Sequence, residues 1–292
     1  MSLDRSLLFR LATSSRFESV VRALPPTSGR ARRAANRYVA GESLTDARRT
    51  AGQLAADGVA ASIDQFGELV DDRADARAVA DDYRAIAHEL ASLPESTWAA
   101  IDLSHLGLDI DARECADHLA TIADALPAGR RIQVGAEDWD RADAVLGCVL
   151  DVAARGYADR LGATVQANLR RSPGDVARLV EAGVHIRLVK GAYVEPIARA
   201  WPYGEETDLA YLHLAHHLAE HRADFSLATH DGVLRESLLT ALGPVPIEQL
   251  LGVRPEITGQ LVARGVPVRV YVPFGDRWFR YWMRRVAESR GA

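Results

Sequence analysis

Arg187 and Lys190 stand three residues apart in the stretch HIRLVKGAYVEP, residues 185–196, and Gly191 and Ala192 follow directly. An apolar, β-prone run here ends on a cation and then gives up its side-chain bulk. A lysine buried at a strand end is costly without a partner. The small residues after it let a flat or anionic ligand approach the backbone. Three apart on one strand, Arg187 and Lys190 point to opposite faces. Either Lys190 lies beyond the regular pleat or one of the two leaves the interior. The same residues also fit a strand-end cation that reaches solvent before an ordinary loop.

Two further groups could do chemistry. ATHDG, residues 228–232, places Thr229 and His230 at a strand end, where a histidine could donate to a phosphate or a ring carbonyl. The competing reading is a packed histidine held by a backbone carbonyl. In DRWFRYWMRRVAESRG, residues 276–291, Trp278, Tyr281, Trp282 and Arg285 share one helical face, and Arg284 and Glu288 are an i,i+4 pair. Adjacent arginines there can fork onto a carboxylate or phosphate. They equally suit the negative end of a helix dipole. His213 and His217 are also four apart, but no acidic third ligand accompanies them, and no metal site is expected.

These residues need a scaffold. The first 55 or so residues are Ala- and Arg-rich with helical periodicity, and residues 46–58 read as a helix stopped by Gly58. After that, eight β-like runs alternate with helix-like stretches, at 59–68, 98–107, 130–137, 162–169, 184–193, 224–231, 244–252 and 266–275. Such alternation implies a parallel sheet, and eight units over this length fit a closed (β/α)8 barrel. The expected organisation is an N-terminal helical segment, 1–55, a barrel over 56–292, and a final helix over the strand C-terminal ends. The seventh strand is the weakest, because prolines interrupt it. Function then belongs at those strand ends. The polar residues there are Glu68, Asp102, Ser104, His105, Glu137, Gln166, Asn168, Arg187, Lys190, Tyr193, Thr229, His230, Asp231 and Tyr271.

The 292 residues carry 35 basic and 40 acidic side chains, a net charge of −5, and 48% hydrophobic residues. No basic domain suggests nucleic-acid binding. Cys115 and Cys148 lack disulfide-framework spacing, so a reducing cytoplasm is the default. No run is long and apolar enough to span a bilayer, while peripheral contact with an inner-membrane surface stays compatible with the sequence.

From about Ala60 to Glu288 the chain resembles the flavin-dependent proline dehydrogenase family. The resemblance rests on IRLVKGAYVEP and VRVYVPFGDRWFRYWMRRVAE, with SIDQFGE, LSHLGLDI, VQANLRRS and ATHD in order. It implies a barrel that binds FAD non-covalently and oxidises L-proline to Δ1-pyrroline-5-carboxylate by hydride transfer to flavin N5. Electrons then pass to a quinone or other acceptor. Carried onto this chain, it puts Arg187 by the reactive nitrogen, and Lys190, Gly191 and Ala192 along the floor and phosphate side. Gln166 reaches the pyrimidine edge, and Thr229 and His230 contact the cofactor. Tyr193 and Tyr271 border the substrate, Arg284 and Arg285 hold its carboxylate, and Glu288 supports that helix. On this reading the anionic cofactor neutralises Lys190.

Departures fall in the substrate pocket. Asp102 stands where the family usually has lysine, Gly135 where it has aspartate and Leu251 where it has an aromatic residue; a fourth difference, Tyr203-Gly204 where the family often has Thr-Lys, implies the loss of one phosphate contact instead. With Asp102, Gly135 and Leu251 the changed pocket suits a proline relative or another amine, larger or differently charged; on the alternative, Glu137, Asp138 or Asp102 stands in for the lost acid and proline is still oxidised. Two other readings are a Schiff-base lyase using Lys190 and a barrel that binds a ligand without catalysis.

Overall fold

The computed structural model describes residues 37–278 together with 281, 282 and 285. Helix α1, Leu44–Ala56, begins where Ser43 and Asp46 cap each other's backbone N–H groups. It ends before Gly58, whose φ of +74° favours glycine. Ala47 and Ala51 are fully buried and pack α1 on the first and last strands. The 55/56 boundary read from the sequence thus falls inside the last turn of this helix. Residues 1–36 of the expected helical segment lie outside the described residues.

From β1, Ala60–Gln65, the chain alternates strictly. It runs α2 (Arg73–Glu89), β2 (Thr97–Ile101), α3 (Ala112–Ala125), β3 (Ile132–Val134), α4 (Trp139–Val152) and β4 (Leu161–Gln166). Then come α5 (Ser172–Glu181), β5 (His185–Val189), α6 (Glu205–Glu220), β6 (Phe225–Ala228), α7 (Gly232–Leu242), β7 (Ile247–Leu250), α8 (Pro255–Ala263) and β8 (Val268–Phe274). The strands pair in chain order, all parallel, and β8 closes on β1 with Ser62 beside Tyr271. Six fall inside the expected segments, and β2 and β4 each begin one residue before theirs, at Thr97 and Leu161. Pro244 and Pro246 precede β7 rather than interrupting it, so the strand keeps its ladder.

Side-chain alternation sorts the strands into two faces. Ile63, Ile101, Ile132, Ile186, Leu188, Leu227, Ile247 and Val272 are buried in one continuous core with Tyr83, Ile86, Leu119 and Ile122 of the helices. Each such side chain contributes about 1.5–3 kcal/mol by leaving water. The other parity is polar. Ser62, Gln133, Arg187, Ser226 and Glu248 are all buried in the lumen, where barrels of this kind usually hold branched apolar residues. Acidic caps start several helices at the strand C-terminal end: Asp72, Asp111, Asp138 and Asp231 each accept backbone N–H groups.

The two cysteines are far apart in sequence, yet α3 and α4 bring them close as free thiols, Cys115 donating to the Leu103 carbonyl and Cys148 to the Ala112 carbonyl. The neighbouring Cys148, then burial, pushes the Cys115 thiol above its ordinary range. Among the described residues no helix is long and apolar enough to cross a membrane. No group of three or more histidine, cysteine or acidic side chains among them could hold a metal ion.

Candidate active site

Arg187 points into the lumen and Lys190 does not, as their spacing requires. Strand β5 ends at Val189, so Lys190 is the first residue past the pleat. Arg187 Nε donates to Glu248 Oε2 at 2.7 Å, and a terminal nitrogen reaches Ser62 Oγ on the far side of the barrel at 3.4 Å. Glu248 Oε1 accepts from Ser226 Oγ at 2.6 Å, and Ser226 Oγ lies 3.2 Å from His185 Nε2. His185 Nδ1 meets Asp224 at 2.8 Å. Burial is the strongest influence on Glu248 and opposes its charge, but the Arg187 and Arg269 guanidiniums and the hydrogen bonds from Arg187 and Ser226 together hold the carboxyl below its ordinary value.

Lys190 is the only lysine in the sequence. Its ammonium sits 2.6 Å from Asp208 on α6 and 2.8 Å from Asp231, the α7 cap. Burial disfavours the ammonium, and the two carboxylates more than offset this, so its pKa is raised. The expectation that a bound anion neutralises this lysine is therefore corrected: two carboxylates of the chain already do so. Composition alone held a missed signal, since every other cationic side chain is an arginine. A compact ammonium fits between two carboxylates where a planar guanidinium does not.

Gln166 is fixed at both ends of its amide. Its Nε2 donates to the Glu137 carbonyl at 2.8 Å, and its Oε1 accepts from the Ala192 N–H at 3.3 Å. Gly191 has φ +122°, and a Cβ there would fall on Asn168 Oδ1. Thr229 Oγ1 accepts from the Asp231 N–H. His230 Nε2 accepts from the Leu250 N–H at 3.1 Å, which leaves the proton on Nδ1. Burial, then the nearby Arg285 charge, lowers this imidazole to about 4, so it is neutral at ordinary pH. The histidine is thus held by a backbone N–H rather than by the carbonyl the bland reading supposed. His230 Nδ1 and Asn168 Oδ1 are buried without a hydrogen-bond partner among the described residues. A neutral N–H donor and a carbonyl acceptor left open beside a glycine cradle fit a flat heterocycle with both kinds of group on its edge.

On the opposite side of the mouth, Tyr271 Oη donates to Asp64 Oδ2 at 2.6 Å, and Tyr83 Oη donates to Asp64 Oδ1 at 2.7 Å. Tyr271 faces Tyr281 of the C-terminal segment, with ring centroids 6.1 Å apart. Arg285 stacks over Tyr281, its guanidinium carbon 5.0 Å from the ring centre. Arg284 and Glu288 lie outside the described residues. Asp102 follows β2 and leans across to β3, because a Cβ on Gly135 would coincide with Asp102 Oδ1. His105 lies over Gly67 and, mainly through burial, has its pKa lowered to about 4. Tyr193 Oη donates to the Ala136 carbonyl at 3.3 Å. Leu251 packs part of its side chain on the core.

Sequence reasoning missed Asp64, Tyr83 and Glu248. Asp64 shares a lumen parity with Ser62, a signal that only the barrel geometry makes readable.

Comparison with known proteins agrees with this arrangement. The family model described as proline dehydrogenase matches residues 47–292. The proline dehydrogenase of Deinococcus radiodurans is 33% identical over 268 residues, covering 87% of this chain and 86% of that protein. Proline dehydrogenase 1 of Bacillus subtilis strain 168 is 31% identical over 262 residues, with 87% and 86% covered. Among solved structures, proline utilization A of Bdellovibrio bacteriovorus, inactivated by N-propargylglycine, superposes with a TM-score of 0.82 over 98% of this chain at 18% identity. This chain spans only 36% of that longer protein, and the likeness is one of fold. The family model over residues 47–292 and a relative 33% identical over 87% of the chain settle the matter: the chain belongs to the proline dehydrogenase family.

Proposed function

We propose that this chain oxidises L-proline to Δ1-pyrroline-5-carboxylate with FAD, and passes the electrons to a quinone or similar acceptor. The observation that carries it is the two-sided mouth. One wall presents Gly191 and the fixed amide of Gln166 beside the open Asn168 Oδ1 and His230 Nδ1. The other presents Tyr271, Tyr281 and Arg285. The first suits an isoalloxazine edge and the second a small amino acid. FAD, when bound, supplies the two-electron hydride acceptor that no protein side chain offers.

The chain's own residues orient and desolvate. Arg187, locked by Glu248, is a cation fixed in the lumen beneath the mouth. With FAD bound, His230 Nδ1 and Asn168 Oδ1 would hold the ring edge. Gly191 keeps the backbone clear for close approach. Arg285, with Arg284 beside it in sequence, grips the substrate carboxylate, and Tyr271 borders the substrate ring. Fixing so small a substrate removes up to about 7–11 kcal/mol of the barrier in the best cases.

The test is optical. Purified protein should show oxidised-flavin absorbance, and L-proline added without oxygen should bleach it. A colourless protein that takes up no FAD, or a yellow one that L-proline leaves unbleached, rejects the reading.

A second reading, a proline relative as substrate, is favoured by the carboxylate of Asp102 filling the space that Gly135 leaves open. On that reading a cyclic amine carrying an extra donor or cation bleaches the flavin faster than proline, and Asp102→Ala abolishes the preference. Brisk turnover of proline that is insensitive to Asp102→Ala rejects it.

A further inference from the structure

The oxidation of an amine carbon requires the nitrogen to give up a proton, and the mouth holds a buried carboxylate one hydrogen bond behind Tyr271. We propose that Asp64 is the positioning residue for Tyr271 and the group that takes up, through the Tyr271 hydroxyl, the proton released by the substrate nitrogen. This rests on the reading of the mouth as an amine-oxidising site.

The geometry sets direction as well as distance. Tyr271 Oη donates its only hydrogen to Asp64 at 2.6 Å, so the phenol oxygen offers only its lone pairs to the mouth. It can therefore accept from a substrate N–H and cannot donate to it. Tyr83 occupies the other carboxylate oxygen at 2.7 Å, its hydroxyl further tied to the backbone of Gln65. Asp64 is thus held in one rotamer with both oxygens engaged and is only 7% exposed.

In the step, one N–H bond of the bound ammonium breaks and its proton passes to Tyr271 Oη as the phenol proton passes to Asp64. The lone pair left on nitrogen becomes the π bond of C=N as hydride, with both electrons of the adjacent C–H bond, leaves for the flavin. Asp64 ends as a neutral acid, and the substrate has lost one hydride and one proton.

The charged and titratable surroundings support an acceptor of this kind. Burial raises the Asp64 carboxyl to about 6, while the hydroxyls of Tyr271 on β8 and Tyr83 on α2, and the Arg187 charge on β5, pull the other way. Asp102, beyond β2, acts on both tyrosines and disfavours their ionisation, as does Asp64 itself. His105, edge-on to Tyr83, is neutral. Tyr281 faces Tyr271 from the C-terminal segment. A carboxyl poised near neutrality is ionised at working pH, yet holds a proton far better than an exposed aspartate.

The experiment uses the flavin-loaded protein. Bleaching by L-proline in the unaltered enzyme first establishes the amine-oxidising reading on its own. Asp64→Asn should then lower the limiting rate of anaerobic flavin reduction about a hundredfold or more at saturating substrate, with KM little changed. It should also erase the acid limb of the rate–pH profile. Tyr271→Phe should cost a similar factor, and the double variant no more than the worse single one. In the infrared, a protonated-carboxyl band should appear in the unaltered protein as pH falls through about 6 and be absent from Asp64→Asn. Where Asp64→Asn does not fold, Tyr83→Phe removes a donor to the ionised carboxylate and should move the acid limb to higher pH. A loss below tenfold in Asp64→Asn, an acid limb that survives it, or an unmoved limb in Tyr83→Phe overturns the proposal while leaving the amine-oxidising reading intact.

Discussion

The floor and the mouth of this barrel come from the same strands, yet they treat buried polarity in opposite ways. In the floor and lumen, charge is closed on itself. Asp224, His185, Ser226, Glu248, Arg187 and Ser62 form an unbroken chain of contacts across four strands. Arg269 stacks on Trp98 at 3.4 Å and donates to two backbone carbonyls. Among the described residues, Thr97 Oγ1 and Gln133 Oε1 lack partners there. At the mouth, His105 Nδ1, Asn168 Oδ1 and His230 Nδ1 are left open, and Asp64 is held at a raised pKa. A satisfied network acts as framework, because each member would be costly to remove. An unsatisfied rim costs stability in the empty protein and gives it back only when a ligand supplies the partners.

The contrast is sharpest if the two regions respond to mutation with opposite signs. Glu248→Ala strands the Arg187 guanidinium in the lumen and should destabilise the fold by about 3–5 kcal/mol, read by denaturant unfolding. A loss below about 1 kcal/mol would mean that water reaches the lumen and the floor is not closed.

Asp64→Asn, by contrast, should stabilise the protein at pH 8 by up to about 2–3 kcal/mol while removing activity. The sign follows from linkage. Folding raises the Asp64 pKa from 3.8 to about 6, so the native state holds the proton more tightly. That contribution is full below about 3.8 and is lost as pH rises through about 6. The gain from asparagine should therefore vanish at pH 4. Asp224 in the floor runs the other way: the hydrogen bond to His185, then its charge and that of Arg131, lowers it to about 2. Its stabilising share is present above 3.8 and disappears as pH falls through about 2, and a His185→Ala variant should lose that acid-side dependence.

Gly191→Ala tests the mouth more gently. A Cβ at φ +122° against Asn168 should cost about 1–3 kcal/mol of backbone strain and lower flavin retention more than it lowers Tm. Smallest of all, Arg48→Ala breaks an ion pair with Glu89 on the outer helices and should change stability by less than about 1 kcal/mol, with no effect on the spectrum.

Much of the architecture was legible in the chain. All eight strands were readable because apolar β-branched runs alternate with helix patterns, and that signal is local. The parity of Arg187 and Lys190 was readable for the same reason. The site was legible only in part. His230, Gln166 and Gly191 stand at strand ends, where position marks them. Asp64 and Glu248 look like ordinary strand acids until the barrel closes and turns them inward. The cysteines show the same limit on the outer helices, where a gap of 33 residues hid a direct contact.

The sequence by itself determined where the eight strands lie, which side chains share a face, and that a lone lysine follows the fifth strand. Those features depend on neighbours within a turn or two of chain, and steric and hydrophobic periodicity suffice to set them. Only the tertiary structure decided who pairs with whom: Arg187 with Glu248, Lys190 with Asp208 and Asp231, Tyr271 with Asp64 across 207 residues. Such pairs depend on the tilt and stagger at which eight strands close, a property of the whole cylinder that no single segment encodes.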